Sequence, residues 1–292
     1  MNPLIRQIEV KNIITKSNLP VGDYSVNPYV GCTHSCKYCY ACFMKRFSNH
    51  TENWGEFIDV KFWNEIKNPG KYVGKSFFMS SVTDPYNQYE KIYKRTRKFL
   101  EEIQGVDINL SIQTKSDLVL RDLDLLKNFK NVRVGFSINT LDEKLKCDMD
   151  NAPNIQNRID AMKKLHEEGI RTTCFISPIF PELTDVKAII DKVKNYCNLI
   201  WLENLNLRGE YKPKILNYIK NNFPKFYPTY DEIYNKKNIL YWLKLDKKIK
   251  SYAKKIGLDY VYNDDSMERK YFDPPVIVNF FFHEKIKKSA QK

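Results

Sequence analysis

With 292 residues, 42% of them hydrophobic and 14% aromatic, the chain can bury a sizeable core as one large domain or two small ones, and its composition is not that of a disordered or low-complexity sequence. The formal net charge is +13, and a surplus of nine falls in residues 212–292, where 18 Lys/Arg face 9 Asp/Glu. No stretch approaches the roughly 20 apolar residues of a membrane helix, and the first residues lack the apolar run of a secretion signal, so a cytoplasmic chain with reduced thiols and no membrane partner is expected.

Residues 1–24 read as an amino-terminal strap. A strand is predicted over residues 26–30, and the cysteine-rich stretch follows it directly. Beyond that, strand-like and helix-like segments alternate. Strands are predicted over 76–80 (SFFMS), 108–112 (INLSI), 132–137 (VRVGFS), 171–176 (RTTCFI) and 199–205 (LIWLENL). Helices are predicted over 93–103, over 117–129 with Ser116 as cap, over 155–168 and over 185–196. Repeated units of this length imply parallel strands joined by right-handed crossovers. No GxGxxG follows a strand, so a dinucleotide-binding doubly wound sheet is not supported. A parallel barrel, complete or partial, fits better, and its chemistry would sit at the carboxyl ends of the strands. After Arg208-Gly209 the pattern changes to basic helices over 212–222 and 239–255, with a Pro/Tyr-rich connection between them. A short strand at 258–262 and an apolar segment at 276–282 follow. The expected organisation is a core over 25–209 and an extension over 210–292 that packs on it or caps it.

The stretch NPYVGCTHSCKYCYAC holds four of the seven cysteines. An odd number cannot be fully paired, so disulfides are the weakest explanation. Cys32, Cys36 and Cys39 have the spacing C-x3-C-x2-C, which lets three thiolates converge on one metal centre. Structural zinc takes four protein ligands, usually as two separated knuckles. No second C-x2-C pair follows here, although Cys42 or His50 could complete a zinc loop. A cubane [4Fe–4S] cluster held by three Cys leaves one iron open, and an open iron is what substrate activation needs.

Here the sequence resembles the radical S-adenosylmethionine (SAM) superfamily: a C-x3-C-x-aromatic-C signature lies on a loop after the first strand of a repeated strand–helix chain. Three stretches are similar to the branch containing spore photoproduct lyase: NPYVGCTHSCKYCYA, SSVTDPYNQYE with Arg97 beyond it, and QTKSDLVLRDLDLL. ENLNLRG and the segment from Asp273 to Glu284 resemble the radical SAM "mobile pair" protein B subgroup. The resemblance implies a partial (β/α)6 TIM-type barrel of the radical SAM kind, with a basic, mainly helical extension. It implies that Cys32, Cys36 and Cys39 hold a [4Fe–4S] cluster and that Tyr38 contacts adenine. Ser81 matches the hydroxyl that meets the SAM amino group, with Asp84 as an aid. Lys115 matches the cation that pairs with the SAM carboxylate, with Arg158 a second candidate for that carboxylate, and Ser137 matches the ribose contact. Tyr40 matches an aromatic of the lyase's radical transfer. Asn204, Asn206 and Arg208, at the end of the sixth strand, are candidates for substrate contact.

Other residues carry blander expectations. Arg121 and Asp122 are read as a structural pair, and His34 as a neighbour of the site rather than an iron ligand. Met79 stands where the lyase has its hydrogen-donor Cys, so thymine-dimer repair is not the expected reaction. The expected function is hydrogen abstraction by a 5′-deoxyadenosyl radical from SAM. A nucleic acid or nucleotide is the favoured substrate, because a basic surface suits phosphate, although lysine on a solvated helix face needs no ligand. A small metabolite or a peptide is the alternative substrate, and a zinc-binding nucleic-acid module is the alternative of another class. The implied partners are an electron donor such as a flavodoxin or ferredoxin and a second radical SAM protein.

Overall fold

The structure, a computed structural model, describes residues 3–18, 22–262 and 274–280. The strands are β1 (Leu4–Glu9), β2 (Ile14–Lys16), β3 (Tyr24–Val26), β4 (Tyr29–Val30), β5 (Phe57–Phe62), β6 (Ser76–Met79), β7 (Asn109–Thr114), β8 (Asn131–Ser137), β9 (Arg171–Ile179), β10 (Leu199–Asn204), β11 (Tyr260–Tyr262) and β12 (Val276–Asn279). The α-helices are α1 (Glu90–Tyr93), α2 (Arg95–Ile103), α3 (Leu123–Leu126), α4 (Glu143–Met149), α5 (Ile155–Glu167), α6 (Val186–Val193), α7 (Tyr211–Asn222), α8 (Tyr227–Tyr234) and α9 (Leu240–Lys255). Contacts group the described residues of Met1–Phe136 and Cys147–Thr172 into one unit, and those of Ser137–Lys146 and Thr173–Lys292 into another. Among the described residues no helix is long and apolar enough to cross a membrane.

In the first unit β2 lies antiparallel to β3, and β3, β6, β7 and β8 run parallel. One register row crosses the sheet: Val26 beside Met79, Met79 beside Ile112, Ile112 beside Val134. β3 and β6 end on that row, and β7 and β8 run two and three residues beyond it, so the residues that follow β6 and β7 leave the sheet on the same side. Every second residue of these strands is buried, as a half-covered pleated surface requires: Phe77 and Met79, then Leu110, Ile112 and Thr114. The glycine in β8 has a specific cause. A Cβ on Gly135 would lie 2.1 Å from Gln113 Oε1 in the neighbouring strand.

The strand expected over residues 26–30 is two strands in two sheets. The chain leaves β3 at Asn27-Pro28, and Pro28 has no N–H to continue a ladder. β4 then pairs antiparallel with β5, which pairs parallel with β1. The helix expected over 93–103 is broken at Lys94, whose φ is +50°. The break lets the Glu90 carboxylate accept the N–H groups of Thr96 and Arg97 (2.9 and 3.2 Å), which caps α2. The segment expected as a helix over 117–129 opens as a 3-10 turn, Asp117–Asp122, with Ser116 Oγ accepting from Leu118 N–H as its cap. Asp122, fully buried, meets both Arg97 and Arg121, so the expected structural pair is part of a larger network.

Glu90 is the hub of that network. It accepts from Tyr29 Oη and from Arg121 (2.6 Å) as well as from the α2 amides, with its own side chain wholly enclosed. Replacing it with Ala strands a tyrosine hydroxyl and two backbone amides and takes from Arg121 one of its two carboxylate partners. Glu90→Ala is expected to cost roughly 3–5 kcal/mol, the range for removing one partner of a buried ionic pair. The check is a lowered urea midpoint at unchanged slope.

In the second unit β9, β10, β12 and β11 run parallel. Leu199, Val276 and Val278 form a small core there, with Trp201 and Val261 against it. The apolar segment at 276–282 is thus strand as far as Asn279, and residues 281–284 and Asp273 lie outside the described residues. The Pro/Tyr-rich connection contains a helix, α8. Pro228 sits in its first turn, where a missing N–H costs nothing.

Candidate functional site

After β4 the chain turns at Gly31, whose φ is +86°. A Cβ there would lie 2.5 Å from the Phe57 carbonyl oxygen, so only glycine fits. Two turns then wind the cysteine loop: Ser35 N–H donates to Cys32 O (3.2 Å) and Cys39 N–H to Cys36 O (3.1 Å). Two longer-range bonds stitch the loop to the end of α4: Lys37 N–H to Met149 O (2.9 Å) and Asn151 N–H to His34 O (2.7 Å).

Cys32 is buried, Cys36 and Cys39 are half-buried, and all three are free thiols. Burial pushes all of them up, Cys36 to about 12, and their mutual repulsion raises Cys32 and Cys36 further. Such a set becomes thiolate only when a cationic centre takes the place of the protons. Trp54 adds to the fit. Its buried indole N–H has no nitrogen or oxygen acceptor, and it favours the thiolate of Cys39. Among the described residues no three His, Cys, Asp or Glu side chains close on a single ion. A zinc site needs its ligands about 2.0–2.3 Å from one point, whereas a cubane spreads its thiolates over separate irons. His50 is engaged at both ring nitrogens, by Asp59 (2.8 Å) and Glu52 (3.1 Å). The Cys42 sulfur faces the Tyr40 carbonyl at 3.9 Å. The donors present therefore suit a three-Cys cluster.

Beside the loop is a polar constellation. Tyr38 is buried, and its hydroxyl donates to Asp150 Oδ2 (3.1 Å). The Lys115 ammonium stands 5.7 Å over the Tyr38 ring. Burial pulls the Lys115 pKa down, but the fields of Cys36 and Asp150 outweigh it and hold the pKa above its ordinary value. No carboxylate among the described residues forms an ion pair with this ammonium. Arg158, fully buried on α5, donates to Asp150 Oδ1 (3.1 Å) and, through Nε, to Pro153 O (2.9 Å).

Asp84 is buried, and both its oxygens are occupied. Oδ1 accepts from Thr114 Oγ1 (2.7 Å) and Tyr86 N–H (2.9 Å), and Oδ2 from Lys115 N–H (2.8 Å). His34 Nε2 lies 3.1 Å from Oδ2 as an ion contact, its N–H not aligned for a hydrogen bond. Burial pushes the carboxyl up, but the His34 charge and these donors hold it below the usual carboxylate range. Asp84 thus fixes the backbone at Lys115, with both of its oxygens already accepting hydrogen bonds. Arg158 likewise spends its fork on Asp150 and Pro153.

Ser81 follows β6 through Ser80, which holds φ at +81°. Asn27 clamps this turn, donating to Ser81 Oγ (3.0 Å) and accepting from Val82 N–H (3.2 Å). Thr83 Oγ1 donates to Gly31 O (2.6 Å), and Tyr40, half exposed, donates its hydroxyl to the Ser81 carbonyl.

The first unit thus brings together Cys32, Cys36, Cys39, Tyr38, Tyr40, Ser81, Asp84, Lys115 and Arg158. Ser137, Asn204, Asn206 and Arg208 belong to the second unit. Ser137 is buried at the end of β8, Asn204 is half-buried at the end of β10, and Asn206 and Arg208 are exposed. Sequence reasoning missed Asp150, Trp54 and Asn27. Asn27 opens the quoted motif and was readable as a turn former. Asp150 and Trp54 carried no local signal.

The sequence signature of the radical SAM superfamily matches residues 26–193, more than half of the chain. The chain belongs to the radical SAM superfamily. A radical SAM protein uses SAM and an iron–sulfur cluster, and this membership sets aside the zinc-module reading. The chain is 42% identical over 226 residues to an uncharacterised protein of Methanocaldococcus jannaschii, covering 76% of this chain and 85% of that one. It is 34% identical over 171 residues to an uncharacterised protein of Acidianus two-tailed virus, covering 54% of this chain and 56% of that one. Its fold is like that of a spore photoproduct lyase complexed with dinucleoside spore photoproduct, at a TM-score of 0.54 and 18% identity, covering 76% of this radical SAM chain. It spans 66% of the lyase chain, just under two thirds. At that identity the likeness is one of fold.

Proposed function

We propose that this radical SAM enzyme holds a [4Fe–4S] cluster on Cys32, Cys36 and Cys39 and cleaves SAM reductively beside it. The observation that carries the proposal is Lys115, a half-buried ammonium over the ring of Tyr38 and in the fields of Cys36 and Asp150, in no ion pair among the described residues. It is held charged beside the cysteine loop with its donors open to an anion, and the SAM carboxylate is such an anion. When bound, the cluster and SAM supply a 5′-deoxyadenosyl radical that abstracts a hydrogen atom from the substrate.

In this reading the chain's own residues bind and orient. Tyr38, pinned by Asp150, offers its face to adenine. Ser81, held by Asn27, presents its hydroxyl to the SAM amino group. Asp84 positions Lys115, and Arg158 positions Asp150. Ser137 is proposed for the ribose, Tyr40 for radical transfer, and Asn204, Asn206 and Arg208 for substrate contact. The proposed substrate is a nucleic acid or nucleotide. Support comes from the basic charge of residues 212–292 and from the dinucleoside bound by the lyase of similar fold. Met79, fully buried and without a labile hydrogen, sits where that lyase has its hydrogen-donor Cys, so thymine-dimer repair is not proposed. An electron donor such as a flavodoxin or ferredoxin is the proposed reductant, and a second radical SAM protein a proposed partner.

The test is anaerobic reconstitution. About four irons per chain and, with SAM and dithionite, release of 5′-deoxyadenosine are expected. Bound zinc, or a cluster that never cleaves SAM, would overturn the reading.

A further inference from the structure

The outer face of α9 is a continuous lysine surface. At 3.6 residues per turn, Lys244, Lys247, Lys248, Lys250, Lys254 and Lys255 fall within an arc of about 160° over roughly 16 Å of axis. All six are exposed, and no Asp or Glu shares the arc. The one acidic residue of the helix, Asp246, is turned inward to Tyr260 (2.5 Å), Tyr262 (3.1 Å) and Asn279 (2.5 Å).

Some lysines on or just past other helices are paired one turn away: Lys98 with Glu102, Lys164 with Glu168, Lys194 with Asp191 and Lys236 with Glu232. Lys214 and Lys220 on α7 are in no ion pair among the described residues, so what sets α9 apart is the number of lysines on one arc. Among the described residues none of the six α9 lysines is in an ion pair. Lys244 and Lys248, and Lys250 and Lys254, are like charges at i,i+4, which weakens a helix rather than supporting it. A face that works against its own helix fits a ligand that supplies the missing anions.

Two further features give that ligand a character. A depression of about 540 Å³ lies on the face, lined by Lys247, Lys250, Ser251, Lys254, Leu258, Asp259 and Tyr260. Tyr262, two residues beyond Tyr260 on β11, is 41% exposed, with the Lys250 ammonium 5.4 Å over its ring. A row of ammonium groups beside an exposed aromatic ring is the combination that holds a flexible phosphate backbone and stacks its bases. A duplex has no free base face to offer Tyr262.

We propose that α9 and Tyr262 form a docking surface for a single-stranded nucleic acid. The inference deepens the substrate reading above and rests on it. Lys247, Lys250 and Lys254 contact consecutive phosphates, and Tyr262 stacks on a base.

The test uses the full-length protein and a short mixed-sequence oligonucleotide, as DNA and as RNA, with binding followed by fluorescence anisotropy between roughly 50 and 200 mM salt. K247Q/K250Q/K254Q is expected to weaken binding at least tenfold at the lowest salt and to reduce the log–log salt slope by about 2, since each phosphate on a single strand contributes about 0.7. Tyr262→Ala is expected to weaken binding by roughly tenfold with the slope unchanged. The lysine variant removes like-charge repulsion, so its thermal midpoint should not fall, which excludes misfolding as the cause. Wild-type affinity and slope in the lysine variant would overturn the inference. So would a duplex bound as tightly as the strand with Tyr262→Ala silent, or tighter binding to phosphatidylserine vesicles than to the oligonucleotide. SAM cleavage on the same preparations separates the two proposals. Cleavage without strand binding sinks only the docking surface, and strand binding without cleavage sinks only the proposed chemistry.

Discussion

Cys36→Ala is expected to leave the protein folded and without iron. Cys36 is the middle thiol of the loop, half-buried, with Lys115, Asp150, Cys39 and Arg158 all contributing to the field at its sulfur. The loop around it is held by backbone bonds, Lys37 N–H to Met149 O and Asn151 N–H to His34 O, which the substitution leaves intact. In the proposed centre this thiol is one of three ligands, with no spare to replace it. Iron after anaerobic reconstitution should fall from about four per chain to a small fraction of that. The charge-transfer absorption should vanish, and 5′-deoxyadenosine release should drop to background. Far-UV circular dichroism should match wild type. Cys42→Ala is the control, with its sulfur turned toward the Tyr40 carbonyl, and it should keep its iron. Full iron in Cys36→Ala together with loss in Cys42→Ala would move the cluster off the proposed triad.

β6 and β7 were legible because their burial alternates, and β8 to β10 because they are short apolar runs bounded by turns. β5 was not. Its sequence, FIDVKF, carries Asp59 and Lys61 inside the apolar run, and Asp59 is tolerated in the interior only because His50, stacked on Phe57 at 3.8 Å between centroids, reaches it. That partnership is tertiary and leaves no trace in the periodicity. Residues 26–30 failed for a related reason: one run serves two sheets, with the break at Pro28, and the demand of Ser81 and Val82 on the Asn27 side chain fixes it in place. Among the site residues, Lys115 and Ser81 were named from the resemblance to the lyase branch, and their places at strand ends agree with it, because chemistry in such folds collects there. Asp84 could be named too, but its work could not. That it holds Thr114 and Lys115, 30 and 31 residues further on, follows from long-range contacts that the sequence does not show. Asp150 was invisible, since its meaning comes from Tyr38, 112 residues earlier.

Lys115→Ala is expected to weaken SAM binding while leaving the cluster in place. A hydrogen bond to a charged group contributes about 1.5–3 kcal/mol, so the dissociation constant for SAM should rise roughly 10- to 150-fold. The backbone at this position is fixed independently of the side chain, because Lys115 N–H donates to Asp84 Oδ2 and Thr114 Oγ1 to Asp84 Oδ1. Removing the ammonium should therefore not move β7 or the turn that follows it. Iron content and the absorption of the reconstituted protein should equal wild type, while isothermal titration with SAM shows the loss. Lys115→Arg should recover only part of it: a planar fork over the Tyr38 ring keeps the charge but not the compact geometry. The rival account is that Lys115 merely offsets the thiolates, since Cys36 is the largest influence that raises it. On that account Lys115→Ala loses iron first and SAM binding follows in proportion, and Lys115→Arg restores both together. The two accounts part at the ratio of SAM bound to iron retained. A fall in that ratio assigns the ammonium to SAM, and a constant ratio assigns it to the cluster.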